Sequence, residues 1–321
     1  MSRTRPVKPP HLQPGDAVGI VAPASPPPDP KVIDRSVAAL EALGFKPVLL
    51  RHVRERHGFL AGQARDRAAD LMAMFSNRRI NAIICLRGGY GSAQLLPLLD
   101  FDVIRRHPKI LVGYSDITSL HCALLKQANL VSFHGPMLNA EISSPDFPPF
   151  ARQSLLRTLM EPQPAGSICA GLGRKTVSVI RRGRAAGELV GGNLSVLCTT
   201  LGTPWQPDFK NKILFIEDVG EKPYRLDRML THLSNAGLLQ QVAGVAVGIN
   251  EDCADPHPNP LKEYRQTMED VIADCLKPLK VPVVLGLPFG HQPWNATLPV
   301  GVRVELDAVK GDLIVTEAAV R

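Results

Sequence analysis

The chain predicts an α/β protein: a parallel, doubly wound sheet in the first half, then a second, smaller domain of mixed β/α character. Three observations carry this. Short apolar runs alternate with amphipathic stretches through the first half. The alternation breaks in Pro- and Gly-rich sequence that begins at Ser143. At 321 residues the chain is longer than one hydrophobic core usually supports.

In order, Ala17–Ala22 reads as a buried strand after the turn Pro14-Gly15-Asp16. Pro30–Leu43 is a helix, with Asp29 as cap and Gly44 as stop. Pro47–Leu50 is the second strand and Ala64–Phe75 the second helix. Ile80–Leu86 is continuously apolar, as a strand covered on both faces is. A helix over Ser92–Leu99, a strand over Ile110–Val112, a helix over Ile117–Gln127 and a strand over Leu130–Phe133 complete the alternation. A helix over Ala151–Met160 precedes Pro- and Gly-rich sequence. The expected division is a first domain over 1–160, a linker over 161–175 and a second domain over 176–321. In the second half, Ile213–Glu217, Gly244–Gly248 and Val281–Leu285 read as buried strands, and Tyr224–Ser234 and Leu261–Cys275 as helices. Val300–Leu306 and Leu313–Glu317 alternate as antiparallel strands do.

Composition excludes several classes. Apolar residues are 45% and charged residues 21%, the proportions of a soluble globular protein. The net charge of +7 comes in short pieces that read as solvated surface, with mild attraction for anionic substrates. Aromatics are 5%, too sparse for a stacking nucleic-acid surface, and no basic helix accompanies them. None of the six cysteines forms a C-x-x-C pair, so no disulfide framework is expected, and Cys253 with His257 is not expected to hold a metal. The basic N-terminal segment has no apolar stretch after it, and nothing is long enough to span a membrane, so the cytoplasm is expected.

The chemistry concentrates at strand ends. Gly113-Tyr114-Ser115-Asp116 joins a buried strand to a helix. That is the setting of a nucleophile elbow, although the G-x-S-x-G spacing is absent. The free N–H groups of the helix start could form half of an oxyanion hole. Ser and Asp are also ordinary helix caps. Arg87-Gly88-Gly89-Tyr90-Gly91 follows the third strand, at the edge where open α/β sheets bind ligands. It could supply the second oxyanion donor or be a plain turn, and it lacks the spacing of a phosphate loop. A serine nucleophile needs a base and an acid that orients it. His291 follows a Gly at a strand end, and Glu217 ends a buried strand, giving the order Ser, acid, His. A lone His in this position is otherwise a surface residue. His121 reads as packing or surface.

Taken together, GDAVGIVAPASP at Gly15–Pro26, LRGGYG at Leu86–Gly91, GYSD at Gly113–Asp116 and HGPM at His134–Met137 resemble the LD-carboxypeptidase family of serine peptidases. So do GELVGGNLSVL at Gly187–Leu197, FIEDVGEKPYRLDRML at Phe215–Leu230 and GLPFGH at Gly286–His291. The resemblance implies a Ser115–His291–Glu217 triad, with the N–H groups of Gly89 and Asp116 as oxyanion donors. It implies a flavodoxin-like first domain, a smaller β/α second domain, a homodimer, and no metal or cofactor. The implied reaction is release of terminal D-alanine from a murein tetrapeptide during cell-wall recycling in the cytoplasm. Arg87 and Arg225 are then candidates for the substrate's terminal carboxylate, and Arg225 also has Glu221 as an i,i+4 partner. Two rivals remain. A related branch cleaves peptide-nucleotide antibiotics and confers immunity, but the two tryptophans, Trp205 and Trp294, form no stacking insertion. The other rival is a non-catalytic protein that binds a ligand between its domains.

Overall fold

The computed structural model describes residues 5–172, 177–258, 260–261 and 265–321. The first residues of the N-terminal segment, the end of the expected linker, the first residue of the expected second domain and part of the helix expected from Leu261 lie outside the described residues.

The first half runs β1 (Ala17–Val21), α1 (Lys31–Ala42), β2 (Lys46–Leu49), α2 (Ala64–Ser76), β3 (Ala82–Cys85), α3 (Phe101–Arg106), β4 (Ile110–Gly113), α4 (Thr118–Ala123), β5 (Ser132–His134) and α5 (Pro149–Met160). The five strands pair in parallel in the order β2-β1-β3-β4-β5. This is the flavodoxin order, in which ligands bind beyond the carboxyl ends of the strands. Strands β3 and β4 are buried along their whole length, which is why their sequences are apolar without alternation.

The second half runs β6 (Pro164–Ser167), β7 (Ser178–Arg181), β8 (Arg184–Asn193), α6 (Leu194–Thr199), β9 (Ile213–Glu217), α7 (Pro223–Asn235), β10 (Gly244–Ile249), α8 (Met268–Leu276), β11 (Val283–Gly290), β12 (Leu298–Val300), β13 (Arg303–Asp307) and β14 (Asp312–Ala318). Its sheet has the order β6-β14-β13-β8-β9-β10-β11-β7. The centre, β8 to β11, is parallel, and antiparallel strands flank it on both sides.

Several boundaries differ from those read in the sequence. The Pro- and Gly-rich segment after α5 contributes β6, an edge strand where a Pro is tolerated. The run Val300–Leu306 is two strands in two sheets. Strand β12 pairs antiparallel with β5, Gly301 turns the chain at φ 92°, and β13 joins the second sheet. Helix α8 begins at Met268, where Thr267 and Asp270 form a capping box, and not at Leu261. Ser92–Leu98 is a 3-10 segment containing Pro97. The core is continuous across both sheets: Ile20, Val112 and Phe133 belong to the same buried cluster as Phe215, Phe289 and Val304.

Candidate active site

Strand β4 ends at Gly113, and two residues later Ser115 takes the left-handed backbone, φ 62°. For a residue with a Cβ that conformation costs about 1–3 kcal/mol and persists only where the surroundings enforce it. They do so here. The chain turns at once into a 3-10 turn over Ser115–Ile117 that leads into α4. The glycine loop after β3 lies against it. A Cβ on Gly88 would sit 3.1 Å from Ser115 Oγ and 3.3 Å from the Asp116 nitrogen. Only glycine permits that approach. The buried Asp116 carboxylate accepts from Ser92 N–H at 2.8 Å, and its carbonyl accepts from Ser92 Oγ at 2.5 Å. Burial raises the Asp116 pKa, opposed by the Ser92 and Gly91 hydrogen bonds and the Arg67 charge. Ser25 Oγ, in the loop after β1, accepts from Tyr90 N–H at 3.1 Å. Three loops at one sheet edge are thereby fastened around Ser115.

The second sheet brings the acid and the imidazole. Glu217 closes β9 and is 0% exposed. His291 follows Gly290, the last residue of β11. Because β9 and β11 run the same way in a parallel sheet, both reach the same edge. His291 Nδ1 and Glu217 Oε2 are 2.7 Å apart. The Tyr114 and His291 rings meet in an edge arrangement at 4.9 Å between centroids, so the imidazole stands beside the residue that precedes Ser115. Burial by itself would lower the His291 pKa. The hydrogen bond and charge of Glu217, with the charges of Asp218 and Glu141, outweigh burial and raise it. The halves are also joined directly: Asn193 N–H, at the end of β8, donates to Thr118 Oγ1 at 2.9 Å.

Other residues fall elsewhere. His134 is fully buried with Tyr114, Phe215 and Phe289 around its ring, and burial holds its pKa well below the ordinary value. His121 is an interior residue bound to Ser132 Oγ and the Gly113 carbonyl, and burial lowers its pKa to about 4. Arg87 stays with the cluster, donating to the Pro26 carbonyl at 3.1 Å. Arg225 is paired with Glu221 at 3.4 Å on the surface of α7, and no contact joins it to Ser115 among the described residues. Sequence reasoning missed the buried Arg67, which donates to the Pro23, Gly62 and Gly91 carbonyls and ties the loops together. It also missed Tyr114 and Glu141. A lone Arg, Tyr or Glu in an ordinary helix or turn carries no sequence signal of such a role.

A strained serine at a strand end, backed by a glycine loop and a buried carboxylate–imidazole pair, can do acyl-transfer chemistry. The comparisons agree in kind. The model of the LD-carboxypeptidase N-terminal domain matches residues 18–135, and that of the C-terminal domain matches 186–306. The chain is 40% identical over 309 residues to the "probable murein peptide carboxypeptidase" of Bacillus subtilis, covering 96% of this chain and 94% of that one. It is 34% identical over 312 residues to the "murein tetrapeptide carboxypeptidase" of Pseudomonas aeruginosa, covering 95% and 97%. It is 27% identical over 309 residues to the microcin C7 self-immunity protein of Escherichia coli, covering 88% and 87%. Among solved structures, the muramoyltetrapeptide carboxypeptidase of Oxalobacter formigenes superposes with a TM-score of 0.80 at 32% identity, covering 93% of this chain and 97% of that one. The chain belongs to the LD-carboxypeptidase family of serine peptidases.

Proposed function

We propose that this protein removes the terminal D-alanine from a murein tetrapeptide, cleaving the bond between the L-centre of diaminopimelate and D-alanine. The observation that carries the proposal is a Glu217–His291 pair, 2.7 Å from Oε2 to Nδ1, whose imidazole stands against Tyr114, the residue before the strained Ser115, in a chain of this family. Ser115 is the nucleophile. His291 donates Nδ1–H to Glu217, which leaves Nε2 to take the Ser115 proton as the Oγ–carbonyl bond forms. The N–H groups of Gly89 and Asp116 hold the oxyanion. Gly89 follows directly on the glycine whose backbone lies against Ser115 Oγ, and the Asp116 N–H lies in the first turn of its helix, without an intrahelical acceptor. The intermediate collapses with loss of D-alanine, whose nitrogen takes the proton back from His291. Water, deprotonated by the same imidazole, then hydrolyses the acyl-enzyme. Arg87 is the candidate for the terminal carboxylate; Arg225, held by Glu221, is less well placed for it.

The reading extends to a homodimer working in the cytoplasm, with one domain before and one after the segment 161–175. Light scattering on the purified protein measures the dimer. The test of function is incubation with the murein tetrapeptide and mass spectrometry of the products. Tripeptide plus free D-alanine is expected from the wild type and neither from Ser115→Ala. Cleavage of a peptidyl-nucleotide and not of the tetrapeptide would move the protein to the immunity branch.

A further inference from the structure

One buried carboxylate beside the site has no part in the reaction as described. Glu141 lies in a single wide turn, Leu138–Ile142, and is 7% exposed. Its Oε1 accepts from the Tyr114 hydroxyl at 2.7 Å, and its Oε2 accepts from Met137 N–H at 2.9 Å. No Lys or Arg pairs with it among the described residues. A carboxylate buried without a cation is costly, and beside a reacting site it is a candidate for a role there. The turn that carries it is braced as well, since Asn139 N–H donates to the Leu86 carbonyl at the foot of the glycine loop, 2.8 Å away. Tyr114, in turn, is the residue immediately before Ser115, and its ring packs against that of His291.

We infer that Glu141 is a positioning residue for this reaction: it clamps the Tyr114 phenol and, through that ring, orients the His291 base. The inference rests on the reading of His291 as the base. The linkage is electrostatic as well as steric. Burial raises the Glu141 pKa to about 7, opposed by the hydrogen bonds from Tyr114 and Met137 and by the charge of His291. Ionised Glu141 favours the protonated imidazole. The charge of each group therefore favours the charged form of the other. The other charged or titratable groups that reach this cluster are Glu217 and Asp218 on His291, His134 beside it, and Arg87 and Glu217 on Tyr114. The sign follows. Removing the Glu141 charge takes away a term that holds the proton on His291. The acid limb of kcat/KM then moves to lower pH.

The experiment is the pH profile of tetrapeptide hydrolysis by the full chain, as wild type, Glu141→Gln and Tyr114→Phe. Gln keeps the size and an acceptor but not the charge. Phe keeps the ring edge but not the hydroxyl. The wild type is expected to show an acid limb set by deprotonation of His291. Glu141→Gln should show that limb at lower pH. Tyr114→Phe should lose on the order of 10-fold in kcat with KM unchanged, as a small misorientation of the base does. A wild-type profile without an acid limb would remove His291 as base, and this proposal with it. An acid limb that is present but unchanged in Glu141→Gln would overturn the proposal and leave the base in place. Should Glu141→Gln fold poorly, Tyr114→Phe decides: wild-type kcat and an unmoved limb overturn the clamp.

Discussion

Ser115 shows what one residue bears at this site. Its left-handed backbone is enforced by the turn from β4 into α4 and by the glycine loop behind it. Ser115→Ala removes the nucleophile and should lower the rate of D-alanine release by ~10³-fold or more. It keeps the strain, whereas Ser115→Gly removes it. Unfolding free energies from denaturant titration should therefore place Ser115→Gly above Ser115→Ala by about 1 kcal/mol, with both inactive. Equal values would mean that the φ of 62° is not strained in this setting. Glu217→Gln keeps the volume but not the charge that fixes the His291 tautomer, and kcat should drop by ~10⁴-fold. In the wild type, His291 acts as base only when neutral. Its pKa is raised above the ordinary value, so kcat/KM should climb with rising pH through an apparent pKa above 6.5. A midpoint below that value would contradict the net effect of Glu217, Asp218 and Glu141.

At the scale of elements, the site is made by strand ends. The loops after β1, β3 and β4 meet around Ser115, and the ends of β9 and β11 supply Glu217 and His291. Strand β8 delivers the contact to α4 through Asn193. Its Gly191 has φ 141°, and a Cβ there would lie 1.8 Å from the Phe215 carbonyl oxygen, in the strand that ends in Glu217. Gly191→Ala should therefore force β8 and β9 apart, lowering stability by roughly 3 kcal/mol or more. Thermal unfolding and soluble yield measure it, and a wild-type Tm would show that the pair of strands can shift freely. The same glycines explain why β8 escaped sequence reading: Gly187, Gly191 and Gly192 break the apolar run that marks a buried strand. The strands β3, β4, β9 and β10 were legible because burial on both faces leaves a largely apolar signature.

At the scale of the molecule, the two sheets are interlocked. Strand β12 comes from the second half yet completes the edge of the first sheet against β5, and the buried cluster passes through both. Residues 1–160 alone would leave the β5 edge unpaired and cut the core. That fragment should aggregate and be inactive, because an open edge strand templates association. Mixing with residues 161–321 should restore solubility before any activity. A soluble, active fragment would place the base within the first half, with His134, its ring enclosed by aromatic side chains, the first candidate. Exhaustive dialysis against EDTA should leave the hydrolysis rate unchanged. A chelator-sensitive rate restored by zinc would show that Glu217 and His291 act as ligands and not as acid and base.

The sequence by itself determined the local half of this protein. Apolar runs between amphipathic stretches specify the doubly wound sheet, because period and burial are written into neighbouring residues. The motifs around Gly88, Ser115, Glu217 and His291 lie at strand ends that can be located from those runs. What the tertiary structure decided is everything that joins residues distant in the chain. That Glu217 reaches His291 across 74 positions depends on parallel strands bringing their carboxyl ends to one edge. That Tyr114 lies between Glu141 and His291, and that Leu298–Val300 returns to the first sheet, depends on packing. A hydrogen bond between distant side chains leaves no periodic trace in a single sequence, since each partner alone is an ordinary Glu, Tyr or His.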